Sequence, residues 1–285
     1  MNGILFKSVD FQYTRNVIAL SNVSLHIQVG EIIGIMGRNG AGKSTLIQLM
    51  NGLLKPTKGT VIIDGISTIN YNPAELTRKI GIMFQNPEHQ LFSNTVEEEI
   101  DFSLKNLRIS KEQKNQYKHE IIKELDLYKL LDKSPWNCSG GERKKISIAS
   151  VLCRKPDVLV FDEPTLGQDK FGYQILENVL NKAILNRKTI IIVTHNTEFA
   201  LKYLKRIIIL DKGRILADGP TREILTNTMI REQSSFVLPQ FYTFQNMLMN
   251  SIPEYAQSYH PIRQAINFDD LKKVIFMYAR RENDK

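Results

Sequence analysis

The segment GRNGAGKST at positions 37–45 fits the phosphate-loop pattern, with Gly37, Gly42, Lys43 and Ser44 in the required places. Glycines let a backbone curl with its N–H groups inward around phosphate, and side chains at Gly40 or Gly42 would crowd that approach. Asn39, Ala41 and Thr45 complete the loop, Lys43 is placed to reach the β- and γ-phosphates of a nucleotide, and the Ser44 hydroxyl is placed to ligate Mg²⁺. Further on, VLVF at 158–161 runs into Asp162 and Glu163. An apolar strand ending in two carboxylates gives Asp162 to the metal and leaves Glu163 to orient or deprotonate the attacking water. A second apolar run, IIIVT at 190–194, ends in His195, whose imidazole can donate to a transferring phosphoryl group.

These residues need elements to hold them. IIGIM at 32–36 reads as a buried strand and TLIQLM at 45–50 as a helix, so the glycine-rich loop has the strand–loop–helix setting that the pattern requires. Alternating stretches at 5–11 and 23–29, with GTVII at 59–63 ending in Asp64-Gly65, predict an antiparallel layer beside that core. From about 87 to 153 the pattern is mostly helical, which predicts a helical insert. Strands return at 158–161 and 189–193 around a helix near 173–185, and a hairpin at 206–217 closes the domain. Past about Arg231 the composition shifts, and Leu271, Val274, Ile275 and Tyr278 share one face of a short helix. The expected fold is α/β, a phosphate-loop NTPase core with an antiparallel β layer, a helical insert and a small helical extension. The domain expected at 1–230 is followed by an extension at 231–285 that serves dimerisation or docking.

Composition narrows the function. With 285 residues and 42% hydrophobic content the chain can bury one large core. Its apolar runs are far shorter than the roughly 20 residues that span a bilayer. The start MNGILFKSVDF carries no secretory pattern, so a cytosolic chain is expected, with Cys138 and Cys153 as reduced thiols. The net charge of +8 is scattered without a basic arm, and no nucleic-acid partner is expected.

In this order, GRNGAGKST, Gln85, SGGER, VLVFDEPT, Asp169 and His195 resemble an ABC-type ATPase over roughly residues 1–230. That resemblance implies a head-to-tail dimer in which each ATP lies between the phosphate loop of one subunit and Ser139, Gly140 and Gly141 of the other. It also implies that Gln85 senses the γ-phosphate and Mg²⁺, that Asp169 contacts the partner subunit, and that Tyr13, with Phe11 as competitor, stacks on adenine. The sequence departs from the family at Cys138, where leucine is usual, at Glu142, where glutamine is usual, and at Gln168, where leucine is commoner. Glu142 keeps an acceptor but brings negative charge near phosphate.

FQNPEHQLFSNTVEEEIDF and the VLPQ of the extension are similar to the ATPase subunits of energy-coupling factor importers, including those for cobalt and nickel. The resemblance implies a second ATPase subunit, identical or paralogous, and integral membrane scaffold and substrate-binding subunits that carry a vitamin or transition-metal ion. It places the chain on the cytoplasmic face of the cell membrane, with Phe84, Gln90, Leu91 and Phe92 as candidate scaffold contacts. An exporter ATPase and a soluble ABC ATPase acting on ribosomes or DNA are the alternatives; the latter usually shows tandem domains or a long coiled coil, and neither is evident in this sequence.

Overall fold

A computed structural model describes residues 3–14, 17–166, 170–234, 236–250, 262, 265 and 268–283. Two sheets organise it. The first is antiparallel, with strands β1 (Ile4–Thr14), β2 (Val17–Ile27), β4 (Lys58–Ile63) and β5 (Ile66–Ser67) in the order β2-β1-β4-β5. The second runs β10-β9-β3-β8-β7-β6 and contains β3 (Ile32–Met36), β6 (Ile80–Met83), β7 (Val158–Asp162), β8 (Thr189–Val193), β9 (Arg206–Asp211) and β10 (Arg214–Pro220).

In the second sheet every pairing among β6, β7, β8, β3 and β9 is parallel, and only β10 joins antiparallel. Buried on both faces, such strands need continuous apolar runs rather than alternation, and Thr189–Val193 is buried at every position. Helix α1 (Lys43–Met50) packs its Leu46, Leu49 and Met50 into the core shared by the two sheets, against Phe6, Val23, Ile191 and Ile208.

Helices α2 (Pro73–Lys79), α3 (Val96–Lys105), α4 (Lys111–Glu124) and α5 (Gly140–Leu152) cover the β6 side; α6 (Lys170–Leu185) and α7 (Thr197–Tyr203) belong to the crossovers around β8. The helices between residues 96 and 152 bury Val96, Ile100, Ile121 and Ile146 in a second core. That core continues without a break into the extension. Helices α8 (Thr221–Thr226), α10 (Gln240–Asn250) and α11 (Phe268–Asn283) contribute Leu225, Phe241, Tyr242 and Leu271 to the same cluster as Phe199 of α7, and Ile230 of α9 (Thr228–Ser234) packs against it. On α11, Leu271 is buried and Val274 packs beside it, whereas Ile275 is exposed; the side chain of Tyr278 lies outside the described residues. Among the described residues no helix is long and apolar enough to cross a membrane.

Candidate active site

Parallel sheets place ligands at the carboxyl ends of their strands. Four such ends converge here: the phosphate loop leaves β3, Gln85 follows β6, Asp162 ends β7 with Glu163 next, and His195 follows β8. The register fixes their level, because Asp162 pairs with Val193, the Glu163 N–H donates to the Val193 carbonyl at 2.8 Å, and Thr194 N–H donates to Ile35 at 3.2 Å. Between these ends lies a cavity of about 620 Å³. Asn39, Gly40, Gly42, Lys43, Ser44 and Thr45 line it, and so do Gln85, Asp162, Glu163 and His195. Tyr13 closes one side with Val17 and Ile18 of β2, two residues that motif reading passed over because the second strand was expected to begin only at Val23.

The loop geometry follows from its glycines. Gly42 has φ +105°, and a Cβ there would stand 2.6 Å from the Ala19 carbonyl oxygen. At Gly40 no protein atom lies within 4 Å of an added Cβ and the demand is conformational, with φ +80°. Gly37 begins the loop, and buried Ala41 anchors it through an N–H bond to the Arg38 carbonyl at 3.1 Å. Gly42 also serves as N-cap of α1, where no side chain caps the helix and no acid occupies the first turn. The N-termini of α3, α4, α5 and α7 are capped by Thr95, Ser110, Ser139 and Asn196. The α1 terminus instead points its amides and its positive dipole end into the cavity, where an anion can take them.

Lys43 Nζ donates to the carbonyls of Gly37 at 2.6 Å and Arg38 at 3.0 Å, which pins the side chain along the loop and leaves a third proton for a ligand. Burial lowers its pKa, with Glu163 and Asp162 acting in the opposite direction. Burial likewise raises Asp162, opposed by Lys43 and Lys144, and raises Glu163. Burial and then the charge of Lys43 push His195 below the ordinary histidine range, so its imidazole is neutral at neutral pH. Glu163 sits at φ +49°, a left-handed conformation rare for a side chain of its size, and its buried Oε1 has no hydrogen-bond partner. Together Ser44, Gln85 and Asp162 offer a hydroxyl, an amide and a carboxylate around one space. Among the described residues no cluster of three or more His, Cys, Asp or Glu side chains could cage a metal, and this sparse oxygen donor set suits Mg²⁺ carried by phosphates.

Tyr13 is half exposed over the cavity, its phenol hydrogen-bonded to the buried Thr45 hydroxyl at 3.0 Å and its ring set edge-on to Phe11. Phe11 is buried and does not line the cavity, so the exposed aromatic face belongs to Tyr13. Asp169 and Gln168 lie outside the described residues.

Ser139, Gly140 and Gly141 do not line the cavity. Ser139 caps α5 through a reciprocal pair: its Oγ accepts from Glu142 N–H at 3.3 Å, and Glu142 Oε2 accepts from Ser139 N–H at 2.7 Å. The Ser139 hydroxyl proton remains available to donate. A Cβ at Gly140 or Gly141 would meet nothing within 4 Å, so the surrounding fold does not demand glycine at either position. Cys138 is buried in the helical core, filling apolar space, and donates to the Ser134 carbonyl. Among the candidate scaffold contacts, Gln90 is committed to α5 through Ser147 and Ser150, and Leu91 is buried. Phe92 is exposed against Phe102, and it shares with Phe84 a groove of about 320 Å³.

The ABC transporter family model matches residues 20–166. The energy-coupling factor transporter ATP-binding protein EcfA2 of Acetivibrio thermocellus is 40% identical over 252 residues, 87% of this chain and 89% of that protein. Among solved structures, cbiO1 from Clostridium perfringens, part of the ABC transporter complex cbiONQ, superposes with a TM-score of 0.71 at 29% identity, covering 86% of this chain and all of that one. The dimeric, post-hydrolysis structure of the ATP-binding cassette MJ0796 bound to ADP and Pi gives 0.68 at 31% identity, covering 77% of this chain and 99% of that one. The chain belongs to the ABC transporter family of ATP-binding proteins.

Proposed function

We propose that this chain is the ATP-hydrolysing subunit of an energy-coupling factor importer, with an active site completed by a second ATPase subunit. The observation that carries this is the division of the site. One surface collects the phosphate loop and both carboxylates around a single cavity, while Ser139, Gly140 and Gly141 lie outside it, with room left over the glycines.

The α1 N-terminus and Lys43 bind the phosphates of ATP, and Tyr13, held by Thr45, stacks on adenine. Ser44, Asp162 and Gln85 would hold Mg²⁺, which would supply neutralisation of the phosphate charge. Glu163 takes a proton from water as the water oxygen bonds to the γ-phosphorus; the bond to the β,γ-bridging oxygen breaks and ADP leaves with its electrons. His195 donates to the γ-phosphoryl group as a neutral imidazole. From the second subunit, Ser139 and the backbone of Gly140 and Gly141 donate to the same group, and Asp169 lies at the contact between subunits.

Residues 1–230 form the catalytic domain, with its helical subdomain at about 87–153, and 231–285 form a docked extension that adds a subunit contact. The groove between Phe84 and Phe92 receives a helix of an integral membrane scaffold, which together with a substrate-binding subunit carries the cargo. The chain is thereby held at the cytoplasmic face of the membrane. Purification from detergent-solubilised membranes tests this: integral membrane chains recovered with the protein support it, and recovery with ribosomes overturns it.

A further inference from the structure

A second cavity, of about 440 Å³, shares Asn39 and His195 with the nucleotide cavity. Its remaining walls are Met36, Gly37 and Arg38 on one side and, on the other, Ser234 at the end of α9 with Phe236 and Val237 from the segment leading to α10. The Thr197 hydroxyl, in the first turn of α7, donates to the Val237 carbonyl at 2.7 Å and holds that segment against the His195 strand end.

The lining has one chemical character. Its polar side chains are those of Arg38, Asn39, His195 and Ser234, every one of them able to donate a hydrogen bond, and no carboxylate is among them. Ser234 is 5% exposed and its Oγ has no hydrogen-bond partner among the described residues. A buried hydroxyl left unpaired is destabilising, and a bound acceptor relieves that cost. Arg38 makes no ion pair among the described residues, so its guanidinium is free for an oxyanion, the group its planar fork matches best.

We propose that this cavity is a second oxyanion site, which takes up the inorganic phosphate formed when ATP is hydrolysed next to it. The assignment rests on the proposed ATPase reaction for its source of phosphate. Arg38 and the Ser234 hydroxyl bind the anion, and the shared His195 and Asn39 lie between the position where phosphate is formed and the position where it is held. The extension thereby supplies a group that handles the product of the catalytic domain.

Titration of inorganic phosphate into the full chain saturated with ADP and Mg²⁺, followed by calorimetry and ³¹P relaxation, tests this. Arg38→Ala, Ser234→Ala and the cavity-filling Ser234→Val should each weaken phosphate binding about tenfold or more, and the two Ser234 variants, which lie outside the nucleotide cavity and the phosphate loop, should leave ADP affinity unchanged. Phosphate binding equal to the parent in Arg38→Ala and Ser234→Ala, or no phosphate binding by the parent, overturns the site. Failure of the parent to bind ADP at all would instead remove the ATPase reading, and with it the source of the phosphate.

Discussion

His195 Nε2 lies 3.5 Å from Glu163 Oε1, and the His195 backbone N–H points at Glu163 Oε2 from 3.4 Å. With the imidazole neutral, this is a contact between a base and a polar neighbour rather than an ion pair. Two adjacent parallel strands deliver it, since β7 ends at Asp162 and β8 at Val193 in matched register.

Glu163→Gln should trap ATP-bound dimers and lower hydrolysis about hundredfold or more. Because burial raises the Glu163 pKa, the acid limb of the hydrolysis rate should lie above the ordinary glutamate range. The same shift has a stability consequence. A carboxyl raised in the folded state costs stability once pH exceeds its unfolded value, so Glu163→Gln should raise Tm at pH 8, and the gain should vanish in acid. Parental hydrolysis by the variant would remove Glu163 as the base.

Lys43→Ala removes a cation aimed at phosphate and two bonds that hold its own loop. ATP affinity measured by calorimetry should fall at least about hundredfold, given roughly 1.5–3 kcal/mol for each charge-assisted bond lost. Unchanged binding would contradict the phosphate-loop assignment.

Gly140→Ala and Gly141→Ala separate folding from function. Alanine meets open space at both positions and favours helix over glycine by about 1 kcal/mol, so thermal stability of the chain should hold or rise slightly. ATP-driven dimerisation, followed by light scattering, should weaken, because the added methyl occupies the space left for the partner's phosphate. Loss of stability together with retained dimerisation would reverse the account.

Glu142→Gln should keep the α5 cap, since the glutamine carbonyl can accept from Ser139 N–H as the carboxylate does. Hydrolysis should be unchanged or faster once the negative charge is gone. Glu142→Ala should cost about 1 kcal/mol in denaturant melts through the lost reciprocal bond. Slower hydrolysis in the glutamine variant would show that the charge itself is used.

The parts of this site that are contiguous in sequence were legible, because strand, glycine-rich loop and helix at 32–50 each carry local signals. The ends at Asp162 and His195 were legible for the same reason: an apolar run buried on both faces stops abruptly at a polar residue. Links between distant segments were not. Nothing in spacing joins the Tyr13 phenol to the Thr45 hydroxyl 32 residues away, or assigns the Ser234 hydroxyl to the wall of a cavity beside Asn39. Helix α2 escaped notice because seven residues hold too few turns to show a period. The departures at Cys138 and Glu142 read as anomalies in the sequence, and the structure gives each a local reason: the thiol fills buried apolar space, and the carboxylate caps its own helix.

The most direct measurement mixes two inactive variants. A Lys43→Ala chain keeps an intact Ser139-Gly140-Gly141 segment, and a Gly141→Asp chain keeps an intact phosphate loop. If one active site is built from two chains, mixed dimers contain one complete site, and the mixture should hydrolyse ATP well above the sum of the separate variants. Hydrolysis by the mixture equal to that sum, with mixed dimers demonstrated by mass spectrometry, would contradict the shared site.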